Sequence, residues 1–184
     1  KSAAYFGFAF DRGAALSALD KGCAELGDGA FRLRLALRQD GAMPIQTAPL
    51  VALHEPVKVL LAPDAMRSDD LFVRHKTSVR SRYDAAWRDA EAGGAFDTLF
   101  FNERGELTEG GRSNVFVKLA GRWFTPPLSS GVLPGVMRSV LMADPAWAAA
   151  ERVITREMLD SADEIVVCNA LRGPLRAVFT AFRC

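Results

Sequence analysis

The sequence is poor in cysteine, histidine and lysine, and it contains no long apolar run. Its three cysteines, Cys23, Cys168 and Cys184, are odd in number, widely spaced and form no Cys-x-x-Cys pair. With only His54 and His75 as further soft ligands, that pattern argues against a structural zinc site or a disulfide framework and fits a reducing cytoplasm. No apolar stretch approaches the roughly 18 residues that a membrane span needs, and no signal-peptide pattern precedes the first helix. A formal net charge of +1 leaves no surplus of either sign, so neither a nucleic acid nor a membrane is expected as partner. Arginine far outweighs lysine, which suits planar recognition of carboxylates or phosphates. A GC-rich genome would produce the same bias, and that explanation carries more weight.

What is present is ordinary globular material: 184 residues, 49% hydrophobic and 24% charged, enough for one substantial core or two small ones. Residues 1–26 read as helical, with Asp11 as an N-cap and Leu16, Leu19, Cys23 and Leu26 recurring at helical spacing. Phe31 to Leu37 alternates apolar and basic residues as a half-buried strand does, and Gln39-Asp40-Gly41 makes a hairpin turn. Ile45 to Leu53 and Val57 to Leu61 read as further strands. Residues 1–68 are therefore expected to form a small α/β lobe, with the polar, turn-rich Pro63–Asp70 segment joining it to a larger lobe over residues 69–184.

In that second part, Leu71 to Lys76 reads as a short strand ending on Lys76, and Ser78 to Glu91 as a helix stopped by Gly93-Gly94. Phe96 to Asn102 and a continuous Leu107 to Leu119 read as hairpin partners. Arg122 to Thr125 is a strand, and Gly135 to Met142 and Arg156 to Asp160 are helical. Glu164 to Asn169 has the unbroken apolar character of a buried strand delivering Asn169 to a loop. The class is α+β.

The chain is organised around Thr108-Glu109-Gly110-Gly111-Arg112-Ser113-Asn114 and the following Thr125-Pro126-Pro127-Leu128-x-x-Gly131-Val132-Leu133-Pro134-Gly135-Val136-Met137-Arg138. A lone acid, small-residue turns and a Gly-Pro-Gly entry into a helix make a poor core and a plausible cradle for a charged ligand. Each residue also has a plainer reading. Lys76 would ordinarily cap a strand at the surface, and Glu109 would sit at a hairpin edge in solvent. Gly131 to Met137 would be a turn before a helix. A solvated helix face accounts for Arg80, Arg82 and Arg138, and Tyr83 reads as a core tyrosine.

These motifs, with Arg74-His75-Lys76-Thr77 upstream and Asn169-Ala170-Leu171-Arg172-Gly173 downstream, resemble the fold-type IV pyridoxal-phosphate enzymes over nearly all of the chain. That family includes D-amino-acid and branched-chain aminotransferases and aminodeoxychorismate lyase. The wording of the second stretch most resembles the lyase-like domain fused behind aminodeoxychorismate synthase component I. The resemblance implies a small amino-terminal lobe lacking the family's first strand and a larger, barrel-like carboxy-terminal lobe. It also implies pyridoxal 5'-phosphate as cofactor, a small-molecule substrate, a homodimer, and a place within a larger chain that carries a chorismate-using synthase domain.

Carried over residue by residue, the resemblance makes Lys76 the catalytic, cofactor-bearing lysine and Glu109 the partner of the pyridine nitrogen. Val136 and Met137 would bind the cofactor phosphate through backbone N–H, and Asn169 and Ala170 would form the second phosphate-side loop. Arg172, Arg80 and Arg112 are candidates for holding substrate carboxylates, and Tyr83 is a candidate for packing near the cofactor ring, with the core tyrosine preferred. No metal is called for. Relatives carry an arginine for the cofactor phosphate just ahead of the position of Lys1. A chain without that charge-assisted contact is expected to hold the cofactor more weakly by about 1.5–3 kcal/mol. The leading expectation is a 4-amino-4-deoxychorismate lyase producing 4-aminobenzoate and pyruvate. A class IV aminotransferase acting on D- or branched-chain amino acids and a non-catalytic remnant of a larger synthase stand beside it.

Overall fold

A computed structural model describes residues 1–179 of the chain, which divide into two compact units at Leu53/His54. Cys184 lies outside the described residues, and Cys23 and Cys168 carry free thiols.

The first unit holds α1 (Ser2–Tyr5), α2 (Arg12–Ala24), β1 (Phe31–Leu35) and β2 (Ile45–Pro49). Asp11 caps α2 as expected, its Oδ1 accepting from Ala14 N at 2.8 Å. β1 and β2 pair antiparallel, with Phe31 opposite Pro49 and Leu35 opposite Ile45. The face of α2 that packs differs from the leucine stripe. Leu16 and Cys23 are exposed, whereas Ala15 and Gly22, two turns apart, are buried. A Cβ on Gly22 would come within 3.2–3.3 Å of Ile45 and Leu33, so small residues are what let the helix approach the hairpin closely.

The second unit, from His54 onward, begins with β3 (Val57–Leu61) and a 3-10 turn at Leu71–Val73, then α3 (Ser81–Ala92) and β4 (Asp97–Phe101). It continues through β5 (Leu107–Gly110), β6 (Asn114–Leu119), β7 (Arg122–Thr125), α4 (Val136–Ala143) and β8 (Ala150–Glu151). It closes with α5 (Arg156–Asp160), β9 (Glu164–Asn169) and β10 (Gly173–Phe179). Among the described residues, eight strands form one mixed sheet in the order β5-β4-β3-β10-β9-β6-β7-β8, curled into a half-barrel. β3, within the stretch expected as the end of the first lobe, runs parallel to both β4 and β10 inside this sheet.

Period-two alternation decides what fills each face. Val57, Val59, Leu99, Leu107, Val115, Val117, Ile165, Val167 and Leu175 cluster on one side with Ile154 and Leu159. On the other side Phe116, Val166 and Cys168 pack under Leu141 of α4, and Leu60 packs under Ala90 of α3. Each such Val, Leu or Ile side chain, fully buried, contributes about 1.5–3 kcal/mol.

Two of the expected strands take another form. Leu71–Val73 is a 3-10 turn rather than a strand, because Asp70 Oδ1 accepts from Phe72 N at 2.8 Å and offers the backbone a local alternative to a ladder. Val73 is buried against Met66 and Phe100, and Lys76 stands in the irregular segment that follows. The stretch from Leu107 to Leu119 is two strands broken at residues 111–113. The break follows from a buried side chain beneath it: a Cβ on Gly110 would lie 2.3 Å from Asp97 Oδ2.

Candidate active site

A cleft opens at the end of the sheet where β5 and β9 finish and β6 begins. Its walls include Lys76 and Thr77 from the segment before α3, and Tyr83 from α3 itself. Glu109 through Asn114 form the floor, with Leu133, Gly135, Val136 and Met137 on one side and Cys168, Asn169 and Ala170 on another. The amine and the acid singled out in the sequence therefore face one cavity.

Glu109, at the end of β5, is only 5% exposed. Its Oε1 accepts from Tyr83 Oη at 3.0 Å, and its Oε2 accepts from Leu133 N at 3.0 Å and from Asn114 Nδ2 at 3.2 Å. Burial pushes the carboxyl up to about 8, opposed by the Leu133 N–H, the Tyr83 hydroxyl and the positive charge of Lys76; Asp97 adds to the rise. Lys76 is solvent-exposed on the open side of the cleft and close enough for its charge to act on that carboxyl.

Asn114 joins the acid to the next turn. Besides Glu109, its Nδ2 donates to Leu133 O at 3.0 Å, and its Oδ1 occupies the space where a Cβ on Gly135 would lie. Gly135 is the N-cap of α4 and has no side-chain cap of its own. The first intrahelical bond runs from Ser139 N to Gly135 O at 3.0 Å, so the N–H groups of Val136 and Met137 precede the ladder at the positive end of the helix. Asn169 shapes the opposite loop: its Oδ1 accepts from Leu171 N and Arg172 N at 3.1 and 2.9 Å, and its Nδ2 reaches Arg112 O at 3.2 Å.

Beneath the floor lies Asp97, wholly buried on β4. It accepts from Ser113 Oγ at 2.5 Å, Arg112 N at 3.1 Å and Thr98 N at 2.9 Å, and so fixes the turn at residues 111–113. Burial raises its carboxyl above the usual range against those three donors. The arginines separate. Arg80 lines the cleft with its guanidinium held by Asp84 at 2.6 Å and Gly111 O at 2.5 Å. Arg112 also lines it, but its guanidinium bonds Phe96 O and stands 4.2 Å from the Phe96 ring centroid and 5.1 Å from that of Trp87. Arg172 is not among the lining residues, although its charge is felt by Arg112. Arg138 corrects the solvated-face reading: it is 6% exposed and bonded to Pro126 O at 2.9 Å and Glu151 Oε1 at 2.6 Å.

A model of the family described as amino-transferase class IV matches residues 1–178. The chain belongs to that family. Its enzymes depend on pyridoxal 5'-phosphate. Among solved structures, a "Putative amino-acid aminotransferase" from Mesorhizobium loti is 35% identical with a TM-score of 0.87, covering 97% of this chain and 86% of its own. A branched-chain amino acid aminotransferase from Thermobaculum terrenum, in its PLP-form, is 25% identical with a TM-score of 0.63 over 73% of this chain and 47% of its own. A Schizosaccharomyces pombe protein described as "Putative aminodeoxychorismate lyase" is 25% identical over 152 residues, 80% of this chain. The chain spans 66% of the length of that relative. The fold-type IV architecture expected from the sequence is that of these class IV neighbours.

Asp97 carries no sequence signal, and Asn114 and Leu133 stand in the two motif stretches without a role of their own. Tyr83, read as a core tyrosine with packing near the cofactor ring as the alternative, bonds Glu109 instead, and nothing local tells a core tyrosine from one whose hydroxyl reaches a carboxylate.

Proposed function

We propose that this chain is the pyridoxal-phosphate-binding part of a class IV lyase that converts 4-amino-4-deoxychorismate to 4-aminobenzoate and pyruvate. The observation that carries the reading is the convergence of the Lys76 amine and the buried Glu109 carboxyl on one cleft, beside the open first turn of α4. That donor set fits the cofactor: an amine for its aldehyde carbon, an acid for its pyridine nitrogen, and N–H groups at a helix start for its phosphate. When bound, the cofactor supplies an electron sink next to the substrate's amino-bearing carbon.

The residues of this chain do the rest. Lys76 Nζ would hold the aldehyde end and would move a proton at the reacting carbon. Glu109 Oε1 keeps a proton on the ring nitrogen side. Val136 and Met137 N–H, with the Asn169–Ala170 loop opposite, hold the phosphate, and Arg80, Arg112 and Arg172 are the groups from which substrate carboxylates are recognised. The substrate loses a ring proton and its enolpyruvyl C–O bond, and pyruvate gains a proton, so the conversion consumes no amino acceptor. The same reading makes the working form a homodimer and places the chain alongside a chorismate-using synthase domain.

Likeness to the Schizosaccharomyces pombe protein supports the lyase. A class IV aminotransferase is the second reading, favoured by the Mesorhizobium loti structure. Incubation with pyridoxal phosphate and 4-amino-4-deoxychorismate decides between them. Release of 4-aminobenzoate and pyruvate in equal amounts without an acceptor, abolished by Lys76→Ala, supports the lyase. Turnover of D- or branched-chain amino acids only when a 2-oxo acid is present overturns it in favour of the aminotransferase.

A further inference from the structure

The two oxygens of Glu109 are not equivalent. Oε2 meets Leu133 N–H at 3.0 Å and Asn114 Nδ2 at 3.2 Å, and both of these groups can only donate. The orientation of the Asn114 amide is fixed independently, because the same Nδ2 lies 3.0 Å from Leu133 O, a carbonyl that can only accept. Oε2 therefore has no room for a proton. Oε1 is different: its hydrogen-bond partner is the Tyr83 hydroxyl at 3.0 Å, which can either donate or accept. A proton carried by this carboxyl sits on Oε1, and that oxygen is the one able to exchange it with a neighbouring base.

Tyr83 is held for such a part. Its ring rests edge-on against Phe100 at 5.2 Å, and the Arg80 guanidinium lies 5.7 Å from its centroid. Burial and the neighbouring Glu109 charge push its phenol upward, so the hydroxyl keeps its own proton throughout the neutral range.

We propose that Tyr83 is a positioning residue for the cofactor acid: its hydroxyl aims Glu109 Oε1 at the ring nitrogen of pyridoxal phosphate. With no ring in place and the proton on Oε1, Tyr83 accepts from that proton. Once the proton lies between Oε1 and the ring nitrogen, or on the ring, Tyr83 donates to the remaining lone pair of Oε1. The inference rests on Glu109 being the partner of the pyridine nitrogen.

The test compares two probes on the whole protein: pyridoxal phosphate, and its analogue in which the ring nitrogen is replaced by CH. Each is titrated by quenching of tryptophan fluorescence against wild type, Tyr83→Phe, Glu109→Gln and the double variant, with a thermal melt of each confirming the fold. Tyr83→Phe keeps the ring packed on Phe100 and removes only the hydroxyl. The expected result is a preference of wild type for pyridoxal phosphate that falls about tenfold in Tyr83→Phe, while affinity for the analogue stays within about twofold. In the Glu109→Gln background the same change should have no further effect on the preference. Parallel weakening of both probes, or an unchanged preference, overturns the role of Tyr83 and leaves Glu109 standing. A wild type that binds both probes equally removes the ring-nitrogen role of Glu109, and the inference falls with it.

Discussion

Placing a methyl group on Gly110 should be costly out of proportion to its size. A Cβ there would stand 2.3 Å from Asp97 Oδ2 and 2.6 Å from Ser113 Oγ, and Asp97 is wholly buried with three donors around its carboxylate. Relief requires the carboxylate to retreat by about 1 Å, which strains the packing by about 1–3 kcal/mol. It also separates the carboxylate from at least one buried donor, for about 1–3 kcal/mol more. Gly110→Ala should thus cost about 2–6 kcal/mol. Asp97→Ala alone removes the obstacle but strands the Arg112 and Thr98 N–H groups, at about 2–4 kcal/mol. The double variant is the decisive one: with the carboxylate gone the new methyl meets only Ser113 Oγ, which has lost its acceptor and can rotate away, so the pair should cost less than the sum of the singles by at least about 1.5 kcal/mol. Urea unfolding followed by tryptophan fluorescence measures this cleanly, since Trp87, Trp123 and Trp147 all lie in the second unit. A Gly110→Ala protein within about 0.5 kcal/mol of wild type, or strict additivity of the two changes, would refute the close-contact argument.

Other sites give further tests. Glu109 titrates near 8 in the folded chain against 4.5 for a free glutamate, so the folded state keeps a proton that the unfolded state releases between those values. Stability measured without cofactor should fall as pH rises through that window, by at most about 5 kcal/mol for this group, and Glu109→Gln should flatten the fall between urea midpoints at pH 5 and pH 8. An unchanged slope in the Gln variant would rule this out. Asp11→Ala should destabilise α2 by about 1 kcal/mol while Asp11→Ser is nearly neutral, read by hydrogen exchange of the Arg12–Ala24 amides. Arg138→Ala should cost about 3 kcal/mol by losing the bonds to Pro126 and Glu151 and leaving a void, whereas Arg138→Met keeps the aliphatic stem and should cost about half as much by thermal melt.

Legibility followed the range of the interactions. Asp11 as a cap, the Gln39-Asp40-Gly41 turn and the strands at Val57–Leu61 and Glu164–Asn169 are set by neighbours in sequence, and the structure has them where periodicity and turn chemistry place them. One failure was local, the Asp70 side chain turning Leu71–Val73 into a 3-10 turn; the broken hairpin partner depended on a distant group. The Leu107 to Leu119 stretch reads as one strand because nothing in it announces Asp97, ten residues upstream of Leu107, under its middle. β10 has no counterpart among the expected elements: Pro174 is its second residue, and Leu175 and Ala177 alternate inward from it. At the site, the residue types that carry chemistry were visible as motif members, whereas Tyr83 and the Leu133 amide were not. Their contribution lies in where α3 and the 131–135 turn deliver an O–H and an N–H, and no local pattern encodes that.

The tension at Glu109 ties these observations to function. Three donors surround the carboxylate, a set that by itself would favour ionisation, yet burial outweighs them and the group stays a proton carrier near neutral pH. Hydrogen bonds from neutral groups stabilise a buried charge only in part. What offsets the remainder is a neighbouring positive charge, and Lys76 from across the cleft supplies some of it. A protonated ring nitrogen placed against Oε1 would supply the rest at hydrogen-bond range, so under the proposed pairing of Glu109 with that nitrogen the arrangement that is costly in the protein alone would make cofactor binding selective for a basic ring. Removing the burial by a polar opening of the cleft should therefore lower the Glu109 value towards 4.5 and, with it, the preference for a ring that carries nitrogen. A variant that opened the cleft and kept the preference would show that burial is not its source.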